Sequence, residues 1–425
     1  MGRKLLEILK TLAILLLAAA ILVLVVLALP ANTVRQTPWL AAILKPFASY
    51  MGLSEAELTY TPTGSAVLPG AAQPLLISVL RDTGRQSFQY DFSALDNAYE
   101  QYGSALAQAL DSAEAPVSAT REEFLQALEN PGVVFRFPAQ LTPALVAAWL
   151  GAQAPDLQAP ADWYLLTEEE DAVQLYVMGE SCYRASTAVP ATQLLSLVQN
   201  AVPDGSFFAF EDTSGKFTRP DGLSLIQPRM PEIRSASAQN PCEARFISSM
   251  ASVLGFNPYG EAKYVDPAGT TSFSETGCSL SVTAQGQVAL KCDVAQSRFQ
   301  AASERQDDRI EAARALLAQI VGSASGDARL YLCGYEEQGT GAVCTFRYYL
   351  SGAQVSQNQG STASVRFSGT SVMQAQLTLR TYTLSQNSVY LLPAAQAAAI
   401  VREDGPLEVL YADVGEDALY VNWRS

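Results

Sequence analysis

The chain is predicted to be an α+β protein, with a single N-terminal transmembrane helix followed by two extracytoplasmic domains in which helices pack on antiparallel sheet. Three observations predict it. Residues 11–30 form an apolar run with no charge. Beyond that run, short alternating segments of strand character are interspersed with capped amphipathic helices, without the regular βαβ rhythm of a parallel sheet. Residues 227–240, Gln-Pro-Arg-Met-Pro-Glu-Ile-Arg-Ser-Ala-Ser-Ala-Gln-Asn, lack periodicity and divide two such regions.

Residues 1–10 read as a cytoplasmic stub and 11–30 as the span. A helix rises about 1.5 Å per residue, so this run crosses a hydrocarbon layer of roughly 30 Å with its backbone paired internally. Arg3, Lys4 and Lys10 against the single Glu7 hold the N-terminus inside and place the rest of the chain outside. A cleaved signal peptide is the rival reading. Its apolar core would be roughly 7 to 15 residues and end in small residues, whereas this run is longer and exits through Ala28-Leu29-Pro30-Ala31. Ala18, Ala19 and Ala20 offer a small-residue surface on which a partner helix can pack in lipid.

In the connector, residues 31–72, apolar positions 39, 40, 43, 44 and 47 have helical spacing, and Trp39 and Tyr50 are expected at the outer membrane interface. The first exterior domain, 73–226, opens with the strand pattern Pro-Leu-Leu-Ile-Ser-Val-Leu and a turn at Asp82-Thr83-Gly84. A helix over 93–111 follows, with Ser93 as its cap and Leu95, Tyr99, Tyr102, Leu106 and Ala109 on one face. Thr120-Arg-Glu-Glu123 is a capping box for a second helix, Thr142-Pro143 starts a third and Val189-Pro190 a fourth. Strands are expected at 133–137, 162–167, 172–178 and 181–187. After the linker at 227–240, the second domain, 241–425, starts a helix at Asn240-Pro241-Cys242-Glu243 that Gly255 stops. Four short strands follow, near 262–266, 270–275, 278–284 and 287–293. The strongest helix is capped by Ser303 and carries Ile310, Ala313, Leu317 and Ile320 on one face up to Gly322. Strands at 328–336, 342–350, 363–368 and 372–384, a short helix at Pro393 and a hairpin over 407–412 and 418–423 complete the domain.

Composition removes whole classes of chemistry. The chain has 27 Lys and Arg against 42 Asp and Glu, a net charge of −15, which excludes nucleic acid as a natural partner. It has no histidine, so imidazole-based nucleophile activation, HExxH zinc chemistry and an imidazole proton shuttle are absent. No cofactor or metal motif is present. Catalysis would have to use paired carboxylates, as in glycan hydrolysis, and the acidic candidates are Glu168, Glu169, Glu170, Asp171, Glu336 and Glu337. All fall in expected turns, where acidic runs are ordinarily solvated. The aromatic strand residues Phe346, Tyr348 and Tyr349 are candidates for a surface adhesion or ligand-binding module, with burial as core the competing reading.

Six cysteines match no metal spacing. Cys278 and Cys292 flank an alternating segment broken at Gln285-Gly286, a hairpin that brings the thiols together. Cys333 and Cys344 bracket a turn at 336–341 in the same way. Oxidation outside the membrane therefore predicts the disulfides 278–292 and 333–344, with Cys182 and Cys242 paired by elimination, and free buried cysteines are the competing reading.

The layout of stub, single span and two exterior α+β domains resembles the YycH/YycI regulators of Gram-positive bacteria. The segments that carry the likeness are Leu254-Gly-Phe-Asn-Pro-Tyr259 with Asp266-Pro-Ala-Gly269, Phe346-Arg-Tyr-Tyr-Leu-Ser-Gly352, and Leu391-Leu-Pro-Ala-Ala-Gln396 with Tyr411-Ala-Asp413 and Trp423. The resemblance implies a non-catalytic protein that associates in the membrane with a sensor histidine kinase, together with a sister regulator, and adjusts kinase activity partly through its span. It transfers no catalytic residue and no cofactor. Six cysteines depart from what that family leads one to expect.

Overall fold

Strands buried on both faces build the first half of the described chain. In the computed structural model, residues 73–425 are described apart from 154–156, 158, 219, 230–231, 259–261, 276, 323, 358–362, 401–404 and 425. The span expected at 11–30 with Ala18, Ala19 and Ala20, and the interface residues expected at Trp39 and Tyr50, lie outside the described residues. Among the described residues no helix is long and apolar enough to cross a membrane.

The first sheet contains β1 (Leu76–Arg81), β2 (Gly84–Phe88), β3 (Val117–Ala119), β4 (Gly132–Leu141), β5 (Ala161–Glu169), β6 (Ala172–Gly179) and β7 (Cys182–Pro190). Their order is β2-β1-β4-β5-β6-β7-β3, and every pairing is antiparallel. Helices α1 (Phe92–Ser112), α2 (Arg121–Ala127), α3 (Pro143–Trp149) and α4 (Ala191–Val198) pack around it. The cap of α1 is Asp91, whose carboxylate accepts from the Ser93 and Ala94 amides, so the helix starts two residues earlier than a Ser93 cap would have it. Thr120 and Glu123 form the expected reciprocal box on α2. Alternate residues divide between two cores. Leu76, Val134, Trp163, Leu165, Tyr176 and Met178 meet Phe124 of α2 on one side, while Phe135 on the other meets Tyr99 of α1 edge to face at 6.3 Å.

Two short strands, β8 (Phe207–Phe208) and β9 (Leu225–Ile226), pair with each other. Residues 227–240, expected as an aperiodic linker, contain the strand β10 (Arg234–Gln239). Its buried positions are Ala236 and Ala238, an alternation of small residues too faint to register as hydropathy.

The second sheet has eleven strands. It takes in β11 (Lys263–Val265), β12 (Thr271–Glu275), β13 (Cys278–Val282), β14 (Gln287–Cys292), β15 (Ala328–Gln338), β16 (Gly341–Leu350), β17 (Ala353–Gln357), β18 (Ala363–Ser368) and β19 (Ser371–Thr378). The strand expected over 372–384 divides here. After β19 the chain leaves the sheet at Leu379-Arg380, and β20 (Thr381–Ser388) pairs with β10 instead. Arg380 anchors the break by donating to both oxygens of Asp413 at 3.2 and 3.3 Å. The closing hairpin of β21 (Glu408–Asp413) and β22 (Tyr420–Arg424) joins the second sheet through a parallel pairing of β17 with β21. The helices of this half are α5 (Ala244–Val253), α6 (Gln306–Val321) and α7 (Ala394–Ile400). All four residues of the expected α6 stripe, Ile310, Ala313, Leu317 and Ile320, are buried.

The described residues belong to one compact unit, in which the two sheets share a seam. Along it, Arg329 of β15 donates to both carboxylate oxygens of Asp96 in α1 at 2.7 and 2.6 Å and lies 4.2 Å from the Phe92 ring centroid. Phe92 also stacks on Tyr331. Farther along, Trp149 of α3 donates to Glu311 of α6 at 2.6 Å, and Thr142 donates to Asp307. Backbones meet where Gly352, at φ +88°, faces Tyr90. A Cβ on Gly352 would lie 2.9 Å from the Tyr90 nitrogen, so only glycine fits. The forked, ring-stacked Arg329 pair is partly shielded from water, and Arg329→Ala is expected to cost about 1–2 kcal/mol. Urea unfolding of the purified protein measures this, with the loss appearing as a lower midpoint at unchanged slope.

Candidate functional site

The acidic candidates separate in space. Glu168, Glu169 and Glu170 line an open polar pocket of about 890 Å³ with Glu114, Glu123 and Arg184, and neither Glu336 nor Glu337 reaches it. Glu170 and Asp171 are the two loop residues of the β5–β6 hairpin, with φ of +51° and +64°. These left-handed values match a two-residue turn that follows the twist of its strands. The carboxylates beside them serve local structure. Glu168 accepts from the Asp171 amide at 2.9 Å, and Glu169 accepts from the Tyr176 hydroxyl at 2.9 Å with Arg184 at 3.8 Å. Glu123 holds the α2 cap, and the Thr120 amide keeps its carboxyl below the usual range. Glu336 and Glu337 lie exposed near the tip of the β15–β16 hairpin.

The aromatic candidates are core. Phe346, Tyr348 and Tyr349 are all buried, which removes them as an exposed binding stripe. Alternation along β16 sends Cys344, Phe346 and Tyr348 to one face. Tyr349 turns to the seam, where its ring meets Tyr331 edge to face at 5.2 Å.

Of the expected disulfides, one is present. Cys278 and Cys292 stand opposite each other in the β13–β14 ladder and are bonded, with Cα atoms 4.1 Å apart. Cys333 and Cys344 are free, which corrects the pairing expected from their hairpin. That hairpin turns at Gly339-Thr340, later than the pairing requires, which sets Cys344 opposite Tyr335, and Cys333 falls in a bulge beyond that pair. Cys182 and Cys242 are also free. Elimination fails because the two stand in different parts of the fold: Cys182 packs with Phe124 and Met178 under the first sheet, while Cys242 lies half-buried just before α5 near Tyr348. Burial pushes the thiols of Cys182, Cys242 and Cys333 up to about 11 and that of Cys344 to about 12, which keeps them protonated and unreactive.

The feature best suited to binding was not among the sequence candidates. A groove of about 640 Å³ runs between residues 207–233 and the β20–α7 connection. Its walls include Phe207, Phe217, Ile226, Val389, Leu391 and Leu392. Phe207 and Phe217 meet edge to face at 5.6 Å over a small core containing Ala397, Ala398 and Leu407. Two backbone ties hold the outer wall: the Val389 amide donates to the Ile233 carbonyl at 2.7 Å, and the Trp423 indole donates to the Leu392 carbonyl at 2.8 Å. At the rim, Asp212 organises its loop by accepting from the Ser214 hydroxyl and from the Ser214, Lys216 and Phe217 amides. The Ser214 hydroxyl contributes most to holding the Asp212 carboxyl down at about 2. Tyr390 stands at the mouth 88% exposed, and Leu392 beside it is also exposed. The Gln227 Oε1 within the groove is buried and has no donor among the described residues. The sequence signal for this wall was the run Val389-Tyr-Leu-Leu392, which ends at Pro393 and has no polar alternation.

Among the described residues no group of three or more acidic or cysteine side chains is placed to hold a metal. The chain matches no protein-family model, no curated protein and no solved structure. The cysteine geometry predicts that the unreduced, unfolded protein presents four reactive thiols to a chromogenic disulfide reagent, rising to six after reduction. A count of two before reduction would show a second bridge.

Proposed function

We propose that this chain is a non-catalytic, membrane-anchored regulator of a sensor histidine kinase, engaging its partner through the exterior groove and through the N-terminal span. The observation that carries the reading is the groove itself. It joins an apolar floor to an exposed Tyr390 and Leu392, and a contiguous apolar surface rimmed by polar side chains is characteristic of protein contact. Its occupant in this reading is an apolar segment of the kinase's exterior part, which the same membrane holds at a fixed height above the bilayer.

Two further features support the assignment. The Cys278–Cys292 bond suits an oxidising exterior, where an uncharged run at residues 11–30 would deliver the rest of the chain. The likeness of layout to YycH/YycI regulators supplies the class of partner. The carboxylate-hydrolase alternative is disfavoured by the local structural roles of Glu123, Glu168 and Glu169.

A photo-crosslinking residue placed at position 390, in native membranes, is expected to capture a histidine kinase identifiable by mass spectrometry. Leu392→Asp is expected to cut that capture at least tenfold, because a charge would be desolvated in the groove. Replacing residues 11–30 with an unrelated span should reduce kinase co-purification. Capture that never includes a kinase would overturn the reading, and co-purification unaffected by the span exchange would remove the membrane half of it.

A further inference from the structure

The second sheet ends in an open edge. β22 pairs with β21 on one side, and no strand follows it in the sheet order. Just before β22, the chain is covered by β10. The Leu419 amide donates to the Ala236 carbonyl at 3.0 Å, the Ala238 amide donates to the Asp417 carbonyl at 2.7 Å, and Ser237 bridges to Ala418. Beyond Leu419 that cover ends. Backbone groups point alternately to the two sides of a strand. Leu419 points outward, so Val421 and Trp423 point outward after it, while Tyr420, Asn422 and Arg424 point to β21. Among the described residues nothing pairs with the outward backbone of Val421 and Trp423. Such an edge is a template for another strand, and natural proteins ordinarily cover or blunt it.

The residues along this edge are complementary to themselves. When two copies lie antiparallel about Asn422, Val421 stands opposite the partner's Trp423 and Asn422 opposite the partner's Asn422. The outward groups of Val421 and Trp423 then satisfy each other, making about four backbone hydrogen bonds. A shift of one residue would set outward groups against residues that point to β21, and the bonds would be lost. On the exposed face, Tyr420 meets the partner's Arg424 as a directly opposed pair, the arrangement in which cross-strand side chains interact.

Charge favours the same register. The Tyr420 hydroxyl donates to Glu416 Oε2 at 3.2 Å, so the ring that would receive the partner's Arg424 has a carboxylate beside it. Arg424 is exposed and donates through Nη1 to a neutral acceptor, Gln354 Oε1, at 2.9 Å. Among the described residues no carboxylate lies within ion-pair distance of it. A guanidinium placed against a tyrosine ring and near a carboxylate gains from both. Two copies of a chain with net charge −15 repel over most of their surface, and this edge reverses the sign locally.

We propose that β22 is a self-association edge, at which two copies of this chain join antiparallel about a two-fold axis through Asn422 and their second sheets continue into each other. The inference goes beyond the regulator reading and does not depend on it. A contact that uses the same patch on both copies closes on itself and stops at two.

Cysteine crosslinking of the full chain in detergent tests the register directly. Asn422→Cys is expected to form a disulfide with its own copy under mild oxidation, because the two Cα atoms would lie about 4.5 Å apart on the axis. Tyr420→Cys alone and Arg424→Cys alone each set the two thiols about 13 Å apart and are expected to give no crosslink, whereas the two variants co-expressed are expected to give one. Sedimentation of the unaltered chain is expected to show a dimer. Val421→Pro removes one outward amide while leaving the β21 ladder whole, and is expected to weaken the dimer at least tenfold. Arg424→Glu is expected to weaken it as well, and Glu416→Arg in the same chain to restore it. A monomer, an Asn422→Cys variant that does not crosslink, or a dimer that Val421→Pro leaves unchanged would each overturn the proposal.

Discussion

The contact between α1 and β15 is the constraint on which the rest of the folded unit depends. Asp96 and Phe92 on the first turns of α1 meet Arg329 and Tyr331, two residues apart on β15 and therefore on one face of that strand. Fixing that face fixes the other, where Leu330 and Leu332 are buried. It also fixes the register of β16, because ten residues of β15 pair with it. From β16 the order passes to β18 and β17, and through β17 to the closing hairpin. A charged fork sits at the origin of this chain of dependence, and its shielding by Phe92 makes it worth more than an ordinary surface pair.

The same packing creates both candidate sites. It ends at the closing hairpin, where β22 is left with one edge unpaired beyond Leu419. The exit of β20 from the second sheet, held by Arg380 and Asp413, sends residues 389–395 across to Phe207 and Phe217 and so forms the apolar groove. The groove offers apolar side chains to a partner, while the edge of β22 offers backbone.

Much of the architecture was legible in the sequence where a signal repeated itself over several residues. The α+β class, the Thr120 box, the Pro143 helix start, the Val189-Pro190 start to within two residues and the α6 stripe all rest on such patterns. The Cys278–Cys292 bond was legible because its hairpin turn is short and regular, with Gly286 at φ +87°. Its neighbour failed because several residues around 336–341 could form the turn, and the one used, Gly339-Thr340, sets Cys344 opposite Tyr335. β10 was missed because alanine and serine barely differ in hydropathy, and β17 because it is short and follows a tight turn at Ser351-Gly352. The seam was illegible altogether. Pairs such as Asp96 with Arg329 are separated by more than two hundred residues, and no local pattern announces them. Both candidate sites depend on such distant encounters, which is why the sequence candidates Glu168–Asp171 and Phe346–Tyr349 proved to be turn and core.

The central claim is that the two sheets form one cooperative body through this seam, and native-state hydrogen exchange at increasing denaturant tests it most directly. Slow amides of β4 and β5 in the first sheet and of β14 and β19 in the second are predicted to converge on a single opening free energy as global unfolding takes over. Two separate plateaus, with either sheet opening while the other keeps its protection, would contradict the account.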